Sequence, residues 1–181
     1  MFLAPFVPTS FSCVTEMLQL AELQPDEVLV DLGCGDGRII LEAALNFGAR
    51  AIGVELDDGR YRECVKKVHE AHLEDRVKII HGDLLQVDLK KADVVTLYLL
   101  PSTNKKVKSN LERDLRKGSR VVSHDFQIPG WSPTKIKEHV DNWGPNISYS
   151  YNLEDLEQTY PPFNLTIPPG FSTYTLYLYQ I

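Results

Sequence analysis

Cysteine is scarce in this sequence and widely spaced: Cys13, Cys34 and Cys64 are the only three among 181 residues. That number and spacing suit neither a disulfide framework nor a zinc knuckle, so no metal centre is expected and a reducing, cytoplasmic compartment is. A basic excess is also missing. Lys and Arg number 19 against 25 Asp and Glu, a net charge of -6 with a pI near 5.4, which argues against nucleic acid as a partner. The opening Met1-Phe2-Leu3-Ala4-Pro5-Phe6-Val7-Pro8 has no basic stretch and no long apolar run, so neither a secretory leader nor a membrane partner is expected. No internal repeat or low-complexity tract stands out. What remains is an ordinary globular composition, 43% hydrophobic and 24% charged, sufficient for one core in a single domain over residues 1–181.

Hydrophobic periodicity supplies the elements. Apolar residues at Val14, Met17, Leu18 and Ala21 predict a helix over 10–23, with Thr9 and Ser10 as caps. Short apolar runs predict strands at 28–32, 51–55, 77–81, 93–98 and 119–123, and helical spacing fills 39–47, 59–72 and 103–116. A further helix is expected over 134–140. Two last strands, 147–153 and 172–179, would form an antiparallel pair joined by a Pro-rich connector. The expected fold is α/β: a Rossmann-like, mostly parallel seven-stranded sheet, helices on both faces, with that antiparallel C-terminal strand pair.

In such a sheet, ligands bind beyond the carboxyl ends of the strands. The run Asp31-Leu32-Gly33-Cys34-Gly35-Asp36-Gly37 occupies that place after the first strand. Alternating glycines allow a tight turn that brings backbone N–H groups close to a ligand, and the next helix adds the positive end of its dipole. The spacing is G-x-G-x-G, not the G-x-G-x-x-G of dinucleotide folds. A carboxylate at Asp31 would repel a phosphate and favour a cationic ligand instead. Glu55, ending the second strand, can accept hydrogen bonds from ribose hydroxyls. Asp83 could accept from an adenine amino group, with Leu84 packed on the ring, although an Asx turn explains Asp83 equally well.

With an acid after the first strand, the glycine turn, an acid ending the second strand and Gly82-Asp83 after the third, the chain resembles class I, seven-β-strand, S-adenosylmethionine-dependent methyltransferases. The resemblance implies S-adenosyl-L-methionine as cofactor. Asp31, Gly33, Cys34, Gly35 and Gly37 would hold the methionyl part, Glu55 the ribose, and Leu56, Asp83 and Leu84 the adenine. Thr9, in an N-terminal helical segment over 1–24 that packs near the cofactor, would close over it. Cys34 reads as a small residue filling the loop, not as a nucleophile.

Three stretches narrow the acceptor: Pro5-Phe6-Val7-Pro8-Thr9, Thr96-Leu97-Tyr98-Leu99-Leu100-Pro101 and Arg120-Val121-Val122-Ser123-His124-Asp125-Phe126. They resemble small archaeal protein-lysine methyltransferases and the related eukaryotic mitochondrial lysine methyltransferases. Tyr160-Pro161-Pro162-Phe163 falls in the late connector and is not read as an amide-gripping motif. The expected partner is a protein offering a lysine, with Tyr98 lining the acceptor channel as the candidate catalytic residue; packing at a strand end is its alternative role. His124 and Asp125 read first as a structural pair at a strand end, with bordering the same region as their alternative role. A small-molecule acceptor and a non-catalytic cofactor-binding module are the competing readings.

Overall fold

Short runs of Val, Ile and Leu become strands here because helices bury them on both faces. The computed structural model describes residues 8–142 and 171–181. In chain order these form α1 (Phe11–Leu20), β1 (Val28–Leu32), α2 (Arg38–Asn46), β2 (Arg50–Glu55), α3 (Asp58–Glu70) and β3 (Val77–His81). A 3-10 turn (Leu84–Gln86) follows, then β4 (Val94–Leu97), α4 (Pro101–Asp114), β5 (Arg120–His124), β6 (Lys135–Asn142) and β7 (Phe171–Gln180). One sheet holds all seven strands in the order β3-β2-β1-β4-β5-β7-β6. Strands β1 to β5 run parallel, and β7 is antiparallel to both β5 and β6.

Local chemistry sets the helix ends. The Ser10 hydroxyl accepts from the Cys13 N–H at 3.1 Å to start α1, and Asp57 accepts from the Arg60 N–H at 2.9 Å to start α3. Pro101 opens α4, where its missing N–H costs nothing. Alternation along the strands then sorts the core into two layers. Leu29, Val94 and Val122 pack with Val14, Met17 and Leu18 of α1 and with Ile40, Ala43 and Cys64 of α2 and α3. Val30, Leu32, Val95, Leu97 and Val121 pack with Val107 and Leu111 of α4 on the opposite face. Truncating a fully buried side chain such as Met17 or Leu111 to Ala would cost about 2–5 kcal/mol.

One expectation is overturned. The segment read as a helix over 134–140 is strand β6. Ser132-Pro133 ahead of good helix formers gives a helix start by local preference, yet β7 presents an open edge that pairs with this segment from Lys135↔Leu178 to Asn142↔Phe171. The ladder outweighs propensity, which tertiary context often overrides. The strand expected at 147–153 and the Tyr160-Pro161-Pro162-Phe163 run lie outside the described residues, as do residues 1–7. Among the described residues no helix is long and apolar enough to cross a membrane, and no cluster of His, Cys, Asp and Glu could hold a metal ion.

Candidate active site

The strand order reverses direction between β1 and β4: the chain winds outward through β2 and β3 on one side, then through β5 on the other. The crevice at the carboxyl ends of β1 and β4 is where such sheets take ligands. Alternation decides which side chains reach it. Asp31 shares the face of Leu29, Glu55 that of Ala51, Thr96 that of Val94 and His124 that of Val122, all on the side covered by α1, α2 and α3.

Register places Asp31 opposite Thr96, and the Thr96 hydroxyl donates to Asp31 Oδ1 at 2.8 Å. Asp31 is buried and, among the described residues, has no cation beside it. Burial lifts its carboxyl to about 7; the Thr96 hydrogen bond pulls the other way, and the nearby Glu55 and Asp36 charges add to the rise. A positively charged ligand group would restore the carboxylate, which is the chemistry expected of a methionyl ammonium.

The glycine turn that follows is shaped by backbone no other residue would adopt cheaply. Gly33, Gly35 and Gly37 have φ of 88°, 56° and 85°, and a Cβ on Gly37 would collide with Cys64 Sγ. The Gly33 and Cys34 N–H groups both donate to the Val54 carbonyl at 2.9 Å, locking the turn to β2. Cys34 points inward against Gly53, whose Cβ would meet its sulfur at 2.6 Å, so only its backbone can approach a ligand. A hydrogen bond with Cys64 and burial push the Cys34 thiol up, against any role as a nucleophile.

Glu55 is buried and accepts from the Gly35 N–H at 2.9 Å and the Asp57 N–H at 2.8 Å, with Arg60 Nε 3.6 Å away. It therefore braces the glycine turn from β2 while keeping lone pairs for a diol. Beside it Leu56 is 42% exposed, an apolar face unusual at a strand end. Asp83 caps the 3-10 turn by accepting from the Leu85 N–H at 2.9 Å, so its Asx role is real, and its second oxygen is left for a ligand. Leu84 is buried in the layer under α4 with Val30 and Leu32; it offers a ring no more than an edge, and Leu56 is the better placed of the two.

On the other side of the crevice stand Thr9, Tyr98, His124 and Asp125. Thr9 is buried, with Oγ1 3.4 Å from His124 Nδ1. The half-buried Tyr98 lies over His124 with ring centroids 3.9 Å apart, and its hydroxyl donates to Asp125 Oδ2 at 3.1 Å. Tyr98 is thus both packed and hydrogen-bonded at the strand end, and Leu99 beside it touches the glycine turn, 3.3 Å from a Cβ built on Gly33. The structure brings every expected site residue to this end of the sheet, with Leu84 packed in the layer under α4.

Sequence reasoning missed a network around Arg38. Its Nε and Nη2 donate to the two Asp36 oxygens at 2.9 and 2.8 Å, while Nη1 donates to the Thr9 carbonyl. Lys67 Nζ reaches Asp36 Oδ2 at 3.1 Å. Burial would raise the Asp36 carboxyl, but hydrogen bonds from Arg38 and Lys67 hold it at about 2. The signal for Thr96 was present: a lone hydroxyl in the apolar run Val94-Val95-Thr96-Leu97, level with Asp31.

Comparison with known proteins gives the same picture. A profile of the ANTKMT methyltransferase domain matches residues 31–135. A protein-lysine N-methyltransferase of Saccharolobus islandicus is 43% identical, covering 81% of this chain and 92% of the relative. The adenine nucleotide translocase lysine N-methyltransferase of Mus musculus is 35% identical over 73% of this chain, a match that spans 57% of that protein. The crystal structure of an RNA methyltransferase from Salinibacter ruber in complex with S-adenosyl-L-homocysteine superposes with a TM-score of 0.75 at 36% identity, covering 97% of this chain and 94% of that one.

Proposed function

Since this chain belongs to the ANTKMT methyltransferase family, we propose that it uses S-adenosylmethionine to methylate the side-chain amine of a lysine in a protein. The 43% identity to a protein-lysine N-methyltransferase, over nearly all of that relative's length, carries the acceptor assignment. When bound, S-adenosylmethionine supplies an electrophilic methyl group on a sulfonium. Asp31 takes the ammonium of its methionyl part, and the backbone of Gly33, Cys34, Gly35 and Gly37 lies along it. Glu55 accepts from the ribose, and Asp83, Leu56 and the edge of Leu84 receive the adenine. Thr9 closes the crevice from the start of α1. The residues fit the group: a buried carboxyl lacking a cation among the described residues, a turn of positive-φ glycines with no room for a Cβ at Gly37, and an exposed leucine at a strand end.

Little further machinery is needed. An acceptor lysine must lose a proton from a group with an ordinary pKa of about 10.4, and a desolvated channel beside a cationic sulfur favours the neutral amine. Tyr98 lines that channel by ring face and hydroxyl, orienting the amine for in-line attack. The three cysteines are free and buried, which fits a cytoplasmic site of action.

The Salinibacter ruber structure supports a second reading, an RNA acceptor. The net charge of -6 weighs against it. Incubating the protein and radiolabelled cofactor with a native extract separates the two. Label lost on protease treatment and mapped to lysine by mass spectrometry supports the first reading. Label lost on ribonuclease treatment supports the second, and label only in the small-molecule fraction refutes both.

A further inference from the structure

We propose that Asp125 is the entry seat that receives the acceptor's ammonium group before the amine loses its proton beside the sulfonium, and that it thereby selects cationic amines over polyanionic acceptors. The inference rests on the methyltransferase reading above and adds to it a specificity residue.

The position is built with care. Asp125 follows the last residue of β5 with φ of 59°, a left-handed conformation that Asp tolerates better than most residues. Two hydrogen bonds to β7 hold it there: its N–H donates to the Thr175 carbonyl at 2.7 Å, and its Oδ1 accepts from the Thr175 N–H at 3.0 Å. The second oxygen, Oδ2, accepts from the Tyr98 hydroxyl at 3.1 Å. A carboxylate pinned through one oxygen and aimed by the other is preorganised for a ligand.

Charge supports the assignment. Among the described residues the only basic group at Asp125 is the His124 ring, with Nε2 3.6 Å from Oδ2, and no Lys or Arg pairs with it. His124 is itself engaged with Thr9 and Cys13, and Tyr174 meets it edge-on while donating to Glu16. Glu16 in turn pairs with Lys137 at 3.3 Å, and the Asp125 side chain keeps 30% of its surface open. Tyr98 and Asp125 end β4 and β5, across the switch point from Glu55, Leu56 and Asp83. A carboxylate half shielded from water at the acceptor end attracts an ammonium and repels a phosphodiester.

The test is calorimetric titration of pentalysine into protein saturated with S-adenosylhomocysteine. Asp125→Asn preserves the left-handed tolerance and an acceptor for the Thr175 N–H; it removes the charge and leaves an NH2 donor facing the Tyr98 hydroxyl oxygen. It should weaken pentalysine binding about tenfold, the scale of one charge-assisted contact. Glu70→Gln, an equal change of charge on a side chain 62% exposed in α3, should leave it unaltered. Fully ε-acetylated pentalysine should bind the wild type at least about tenfold more weakly than pentalysine does, a result that needs no variant to fold. Equal weakening by both variants, no weakening by Asp125→Asn, or undiminished binding of the acetylated peptide overturns the role of Asp125 while leaving lysine methylation in place. A wild type that binds no pentalysine and methylates an RNA oligonucleotide overturns the lysine reading and this inference together.

Discussion

Thr96 and Asp31 meet across adjacent parallel strands, hydroxyl to carboxyl at 2.8 Å, in a mostly apolar layer. The carboxyl, at about 7 against an ordinary 3.8, is a cost the ligand-free fold carries. A raised folded-state value means the native chain holds its proton longer than the unfolded chain. Its contribution to stability is complete below pH 3.8 and disappears as pH rises through about 7. Asp31→Asn should remove that slope, gaining stability relative to wild type between about pH 5 and pH 8 in urea unfolding, while weakening S-adenosylhomocysteine binding by about 1.5–3 kcal/mol.

Glu55 braces the glycine turn, and the proposed function gives it the ribose as well. Glu55→Ala should weaken cofactor binding by about 1.5–3 kcal/mol and also lower the melting temperature, because the Gly35 and Asp57 N–H groups lose their acceptor. Calorimetry and thermal unfolding on the same variant read the two effects. An unchanged dissociation constant would remove Glu55 from the ribose role whatever happens to stability.

Gly53 is a glycine for packing alone, with no left-handed φ. A methyl there would meet Cys34 Sγ at 2.6 Å and Ile40 Cδ1 at 2.8 Å. Gly53→Ala should cost about 1–3 kcal/mol in urea unfolding, the range of overpacked cores. Adding Cys34→Ala should return part of that loss, since it removes the nearer obstruction, and the double-mutant cycle measures the coupling.

Tyr98→Phe keeps the ring over His124 and deletes the hydroxyl that reaches Asp125. Cofactor affinity should stay as it is, with kcat/KM for a lysine peptide falling by about tenfold, the scale of one hydrogen bond to a charged group. An unaltered kcat/KM would leave Tyr98 a packing residue.

The sheet and the residues gathered around the glycine turn were legible in the sequence because their determinants are local. Strand-length apolar runs, glycines that need positive φ and acids just beyond strand ends all show in a few consecutive residues. The contacts around Tyr98 and Asp125 were less so. Asp125 owes its place to Thr175 on a strand fifty residues further along, and Arg38 reaches back to a carbonyl ahead of α1. β6 was misread because its own residues favour a helix and only the distant β7 edge makes a strand of them. Thr96 was visible, yet its meaning depended on register with Asp31.

Arg38 grips the glycine turn through Asp36 and the start of α1 through the Thr9 carbonyl, so these two parts of the chain share a single tether. On the proposed function, a donor settled onto the turn would also steady the start of α1 beside the acceptor. Turnover would then follow a compulsory sequence, donor before acceptor and spent donor last to leave.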